Sequence, residues 1–275
     1  MMPLLSKITV AVVVVVALAA SACGGSGGTK TETPTVSTGG ASSPTGEPKP
    51  AVSPTASGAA TPAVPSNPPT TSGRTYTAAE AKTIVDGSSL LPPDLPSGWK
   101  LQTDTVADNA AAALTDPKGG ASFERCGRLL SRTAINQPFD VVSSFLAGET
   151  LSFFSSITAY ATDAGAIDCS TEAAQRLVQP GELARALGKL FINPDAVQVA
   201  QVDYPQVGSG SFAATLTGQI DAAGTTIDLT VLIVAFRKGN VTAVVGSARS
   251  GQSPPTAELT PYVDKTLQRV TTFTD

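Results

Sequence analysis

Between Gly24 and Gly73 the chain carries no Leu, Ile, Phe, Tyr or Trp. Gly, Ser, Thr, Pro and Ala dominate the segment, with Pro34, Pro44, Pro48, Pro50, Pro54, Pro62, Pro65, Pro68 and Pro69 scattered through it. Such a stretch cannot bury enough apolar surface to offset the entropy of ordering it, so it is expected to stay disordered. Folding is therefore expected only beyond it. As a coil, ~50 residues extend over about 40 Å, and the prolines stiffen the chain toward polyproline II at about 3.1 Å per residue. The segment reads as a spacer, or as a linker with no length requirement. Its Ser, Thr and Pro content permits O-glycosylation.

The residues ahead of this tether look like an address. Lys7 supplies a positive charge, and Ile8 to Ala20 is an apolar run with Val12 to Val16 unbroken. At about a dozen residues it is too short for a hydrocarbon core that needs roughly 20, and it fits the h-region of a secretory signal peptide. Ala19, Ala20, Ser21 and Ala22 lead to Cys23. This resembles a bacterial lipobox, whose cysteine becomes a diacylglycerol-bearing N-terminus. Ala20 departs from the strict pattern, which prefers Leu, Val or Ile there; the competing reading is an ordinary signal peptide cleaved near Ala22. The expected organisation is a signal peptide over 1–22, a lipidated tether over 23–75 and an extracytoplasmic domain over 76–275. The protein would then sit at the outer face of a bacterial cell membrane, with the membrane as a partner through the lipid on Cys23.

Composition removes several function classes. The chain has no histidine, which takes away the commonest general base and metal ligand. Three cysteines are too few for a Cys-only zinc site once Cys23 is modified. The formal charge of -4 and pI near 4.9 come with no basic stripe, so no nucleic-acid partner is expected. No Gly motif matches a phosphate or dinucleotide loop. Asp203, Asp221 and Asp228 could in principle pair for glycoside hydrolysis or calcium, but their spacing shows no calcium loop, and acids at turn edges are expected to face solvent. No catalytic residues, metal site or cofactor are expected, and a non-enzymatic role is the expectation, with an enzyme using a Ser or Asp nucleophile assisted by Lys as the third reading.

The pattern beyond Tyr76 is α+β. Thr77 and Glu80 predict a capped helix over 78–85, and Leu90 to Trp99 (LLPPDLPSGW) a rigid lead-in docked by its Leu and Trp. Phe123, Cys126, Leu129 and Leu130 suggest a helix over 122–132. Val141–Leu146 and Leu151–Tyr160 read as strands, and 171–177 and 182–191 as helices. Strands are then expected over 197–204, 212–220, 227–235 and 241–246, with a tight turn at Lys238-Gly239. Leu259, Val263, Leu267 and Val270 define a last helix over 255–270, with Thr256 as its cap. The expectation is an antiparallel sheet with flanking helices covering one face.

Cys126 and Cys169 lie in the exported part, where two cysteines most often pair. A bridge closing about 44 residues is worth roughly 3–4 kcal/mol in the chain-entropy picture. The alternative is a reactive thiol, favoured by Arg125 and Arg128 beside Cys126. Arg125, Arg128 and Arg132 would share one helix face as a patch for a phosphate or carboxylate, or form a merely solvated face.

Several features occur together: the lipobox, the tether, Leu95-Pro96-Ser97-Gly98-Trp99, the two cysteines, and the run from Gly208 to Gly246 before a terminal helix. This set resembles actinobacterial lipoproteins related to the extracellular sensor domains of PknH-like receptor kinases, and more loosely the PsbP-like α+β fold, over roughly residues 90–272. The sensors typically carry two disulfides, whereas this domain has cysteines for one. The resemblance implies a central antiparallel sheet, a groove between sheet and helices, and an unidentified envelope ligand or protein partner. The leading expectation is a non-catalytic, sensor-like binding module; the alternative is a lipid or glycolipid carrier with an apolar cavity.

Overall fold

The computed structural model describes residues 73–108, 126–169, 191–193, 196–222 and 225–275. Cys23, the tether up to residue 72, Arg125 and the expected helices over 171–177 and 182–190 lie outside these residues. Seven strands form one sheet, β1 (Trp99–Asp108), β2 (Arg128–Pro138), β3 (Thr150–Tyr160), β4 (Gln198–Gln201), β5 (Gly210–Ala222), β6 (Thr225–Lys238) and β7 (Val241–Ser250). Their order is β1-β2-β3-β7-β6-β5-β4, and every pairing is antiparallel. This is the α+β architecture the strand pattern predicts.

Helices α1 (Ala78–Ser88) and α3 (Thr256–Thr274) cover one face. Helix α1 starts where the sequence places it. The Thr77 side chain accepts from the Glu80 N–H, and the Glu80 carboxylate accepts from the Thr77 N–H at 2.8 Å, a reciprocal capping box. Ile84 and Val85 of α1 and Leu259, Val263 and Val270 of α3 press onto Ile157, Leu232, Val234 and Val245. Burying each such side chain contributes about 1.5–3 kcal/mol. The sequence pattern predicts a sheet covered on one face, yet β3 is buried along its whole length and β6 on both faces through its middle. The second face carries Ile135, Phe154, Leu216, Leu229, Val231 and Ile233, with Phe191 and Phe145 packed against them. Gly246 is required there, since a Cβ would lie 2.2 Å from the Phe154 ring and 2.8 Å from the Leu232 carbonyl oxygen.

Three expectations fail for identifiable reasons. Val141–Leu146 is not a strand but a short helix, α2, because the Asp140 carboxylate accepts from the Ser143 N–H at 3.0 Å and the Ser143 hydroxyl at 2.6 Å. That cap overrides the β preference of two valines. Residues 128–132 are not helical. Gly127, at φ 61°, adopts the left-handed conformation after the helical Cys126 and turns the chain into β2, which is paired on both sides. Thr256 does not cap α3: Pro255 holds the N-cap position without a side-chain bond, and Thr256 is the first helical residue. Phe191, the last residue of the expected 182–191 helix, is in a bend.

Ion pairs fix the lead-in to the sheet. Leu90 and Leu95 are buried, as the lead-in reading predicts. Asp94 accepts a fork from Arg269 of α3 at 2.7 and 2.8 Å, a bond from the Leu91 N–H at 2.9 Å, and lies 3.1 Å from Lys265. Burial alone would raise this carboxyl; the Arg269 fork, the Leu91 amide and Lys265 outweigh it and hold it down at about 2. A carboxyl lowered by folding stabilises the native state above its unfolded value near 3.8, and that contribution disappears as pH falls toward about 2. Acid unfolding followed by circular dichroism should therefore steepen between about pH 4 and pH 2, and Asp94→Asn should lose that segment of the curve. An unchanged acid limb in D94N rules this linkage out. No helix among the described residues is long and apolar enough to cross a membrane.

Candidate functional site

One end of the sheet opens into a groove of about 610 Å³. Its walls come from the start of β1, the β2–α2 junction, the start of β3, the end of β7 and the first turns of α3. Trp99, Phe153 and Tyr262 form an aromatic row. The Trp99 and Phe153 rings lie 4.9 Å apart at 44°, and the Phe153 and Tyr262 rings 4.5 Å apart at 48°. Tilted pairs at this distance suit the ring quadrupoles. Phe153 is buried at the base, while Trp99 and Tyr262 are partly exposed. Burial raises the Tyr262 phenol above its ordinary range, and the Glu258 charge adds to this, so it is a neutral hydroxyl at physiological pH. Among the described residues no hydrogen bond reaches that hydroxyl.

The same groove is lined by a compact polar set. Arg249 Nη2 donates to Glu258 Oε2 at 2.8 Å and to the Thr150 hydroxyl oxygen at 3.4 Å, and the Thr150 hydroxyl donates to Glu258 Oε1. Arg249 and Glu258 are each about one-fifth to one-quarter exposed, at 21% and 24%, so both remain reachable from the groove. Arg249 Nε is buried without a partner. No bond from Nη1 is present among the described residues. Glu149 and Asp140 add carboxylates at the margin, Asp140 being engaged as the α2 cap. At the margin Phe139 is exposed by 65%, and Lys100 Nζ lies 5.8 Å from its ring centroid. The arrangement joins aromatic faces to fixed donors and acceptors.

The residues singled out from the sequence lie elsewhere. Arg128 and Arg132 are on β2, not on a helix face. Arg128 is buried. Arg132 forks onto Asp104 at 3.0 and 2.7 Å and reaches Asp86 of α1 at 3.3 Å. With its charge answered by two carboxylates, Arg132 ties α1 to the sheet rather than facing an anion. Asp228 accepts from Gln219 Nε2 at 3.0 Å across the β5–β6 ladder. The groove residues escape local reading because positions 99, 139, 150, 249, 258 and 262 converge only through the fold. The one local signal is Trp99, the single tryptophan, closing the Leu-Pro-x-Gly-Trp stretch.

Cys126 and Cys169 are joined in a disulfide, with Cα atoms 6.0 Å apart. Tyr160 and Ala166 complete a small buried cluster around it. Gly165 lies so close that a Cβ would sit 2.0 Å from the Cys126 carbonyl oxygen. Beside this cluster Arg237 Nη1 donates to Asp163 Oδ1 at 2.8 Å in a pair that is 10% and 3% exposed.

No protein-family model matches the chain. No curated protein matches it either. Among solved structures, it is similar to the extracellular domain of PknH from Mycobacterium tuberculosis, with a TM-score of 0.37 and 11% identity over 74% of this chain and 95% of that one. It is also similar to LpqN, involved in cell envelope biogenesis of Mycobacterium tuberculosis, with a TM-score of 0.25 and 14% identity over 66% of this chain and 80% of that one. Scores of this size carry no weight for function.

Proposed function

We propose that the protein is a non-catalytic recognition module of the bacterial cell envelope, held outside the membrane by lipid on Cys23, that takes a ligand or partner in the groove beside Trp99 and Tyr262. The observation that carries the reading is the groove itself: a row of aromatic rings and a fixed Arg249–Glu258–Thr150 set in one lining, with exposed Phe139 at the margin. A few convergent polar groups in an aromatic concavity are what orient a bound molecule. The disulfide supports an oxidising compartment, and the signal-like N-terminus supports export. The groove is open and carries charged groups, which does not favour the lipid-carrier alternative.

The test places a photo-crosslinking phenylalanine analogue at Phe139, on the rim, and as a control at Val106 on β1, in full-length protein produced in an actinobacterial host. Irradiated cells are expected to yield discrete adducts at position 139 and none at 106. Absence of adducts at 139, or the same adducts at both positions, overturns the reading. Radiolabelled fatty acid should enter the wild-type protein and not the Cys23→Ala variant.

A further inference from the structure

We infer that the groove recognises a neutral saccharide, stacked on Trp99 and Tyr262 with vicinal hydroxyls bound by the Arg249–Glu258 pair; this rests on the groove being the recognition site. The polar set is the first reason. Arg249 and Glu258 neutralise each other at 2.8 Å, so the site presents a donor and an acceptor side by side with little net charge. A phosphate or sulfate would meet a guanidinium whose charge is already answered by Glu258, with Glu149 and Asp140 as further repulsive charges in the same groove. A vicinal diol matches instead: one hydroxyl accepts from a guanidinium N–H while its neighbour donates to a carboxylate oxygen.

The aromatic row is the second reason. The C–H-bearing face of a pyranose or furanose ring is apolar and slightly electropositive, and it packs on the electron-rich face of an indole or phenol. Trp99 and Tyr262, each packed at a tilt on the buried Phe153 at 4.9 and 4.5 Å and each partly exposed, supply the ring surface for such a contact. The Tyr262 hydroxyl, neutral and without a partner among the described residues, adds a donor and acceptor at its edge. An alkyl chain would satisfy the rings, but it would take water from the Arg249–Glu258 pair and leave the Tyr262 hydroxyl desolvated without a partner, which costs binding energy.

Because Trp99 is the single tryptophan, its emission reports this groove alone. Full-length protein is titrated with three neutral hexasaccharides, an α-1,4-glucan, an α-1,6-mannan and an α-1,5-arabinan. At least one is expected to shift Trp99 emission saturably with a Kd of about 1 mM or tighter, a range set by one polar cluster and one stacking face. Tyr262→Phe keeps the ring and should weaken that binding about fivefold, the size expected for one hydrogen bond, with an unchanged circular dichroism spectrum. Octyl glucoside and octyltrimethylammonium, both below micelle formation, separate the sources of affinity. Equal responses to the two amphiphiles with none to the hexasaccharides overturn the saccharide assignment. So does silence of all probes. In either case adducts at position 139 show that the groove reading survives, and their absence shows that it falls too.

Discussion

Replacing Cys126 and Cys169 together by serine is expected to lower stability by about 4 kcal/mol, the chain-entropy value for a loop of this length. The two cysteines are 43 residues apart and their loop spans β2, α2 and β3. Unbridged, the unfolded chain regains the freedom of that whole loop, while the native sheet still holds the two ends in place. The close fit of Gly165 against the Cys126 backbone means that serine enters a site with no room to rearrange. The check is urea unfolding of wild-type and variant under oxidising conditions, and of wild-type under dithiothreitol. The variant and the reduced wild type should share one midpoint, well below that of the oxidised protein. A loss under about 1 kcal/mol would mean that the loop is already restrained when unfolded.

Arg237→Met should be comparably severe, at about 3–5 kcal/mol, because it leaves a carboxylate buried without its cation. Asp163 is 3% exposed, its Oδ2 has no partner, and Arg237 supplies the bond to Oδ1. A surface pair of the same geometry would be worth under about 1 kcal/mol. The double variant Arg237→Met/Asp163→Leu removes both charges and should recover most of the loss, since a buried ion pair and an apolar pair of similar volume are often close in energy. Thermal unfolding reads both: a fall of roughly 10 °C for the single variant, and a smaller one for the double. If the double variant falls as far as the single, the loss comes from packing around Arg237 rather than from the stranded charge.

Much of the fold was legible in the sequence where neighbours along the chain decide the outcome. The Thr77–Glu80 box marks α1 because cap and capped group are three residues apart. The alternation through Ile227, Leu229, Val231 and Ile233 marks β6, although it conceals that Leu232, Val234 and Phe236 are buried too. The failures are contests between local signals. Two valines at 141 and 142 favour a strand, and one carboxylate at 140 settles them as helix. Leu129 and Leu130 fit a helical face, and Gly127 with two flanking strands draws them into a ladder. The candidate site was illegible for a different reason. Arg249 at a strand end and Glu258 in a helix's first turn look like ordinary surface charges until the β7–α3 connection brings them together in the groove that the aromatic row also lines.

The strand order also governs how this domain assembles. β1 to β3 form one meander and β4 to β7 another, each built from consecutive neighbours, and they join only where β3 pairs with β7. Ser155 faces Val245 across that seam, 90 residues further along the chain. The entropy of closing so long a segment is met in one step, whereas the hairpins form locally, so the seam sets the pace of folding. Until it closes, each meander presents an unpaired strand edge, and β3 is buried along its entire length in the native state. The interval between synthesis of β3 and arrival of β7 is when a copy is most vulnerable to joining its neighbour instead of itself.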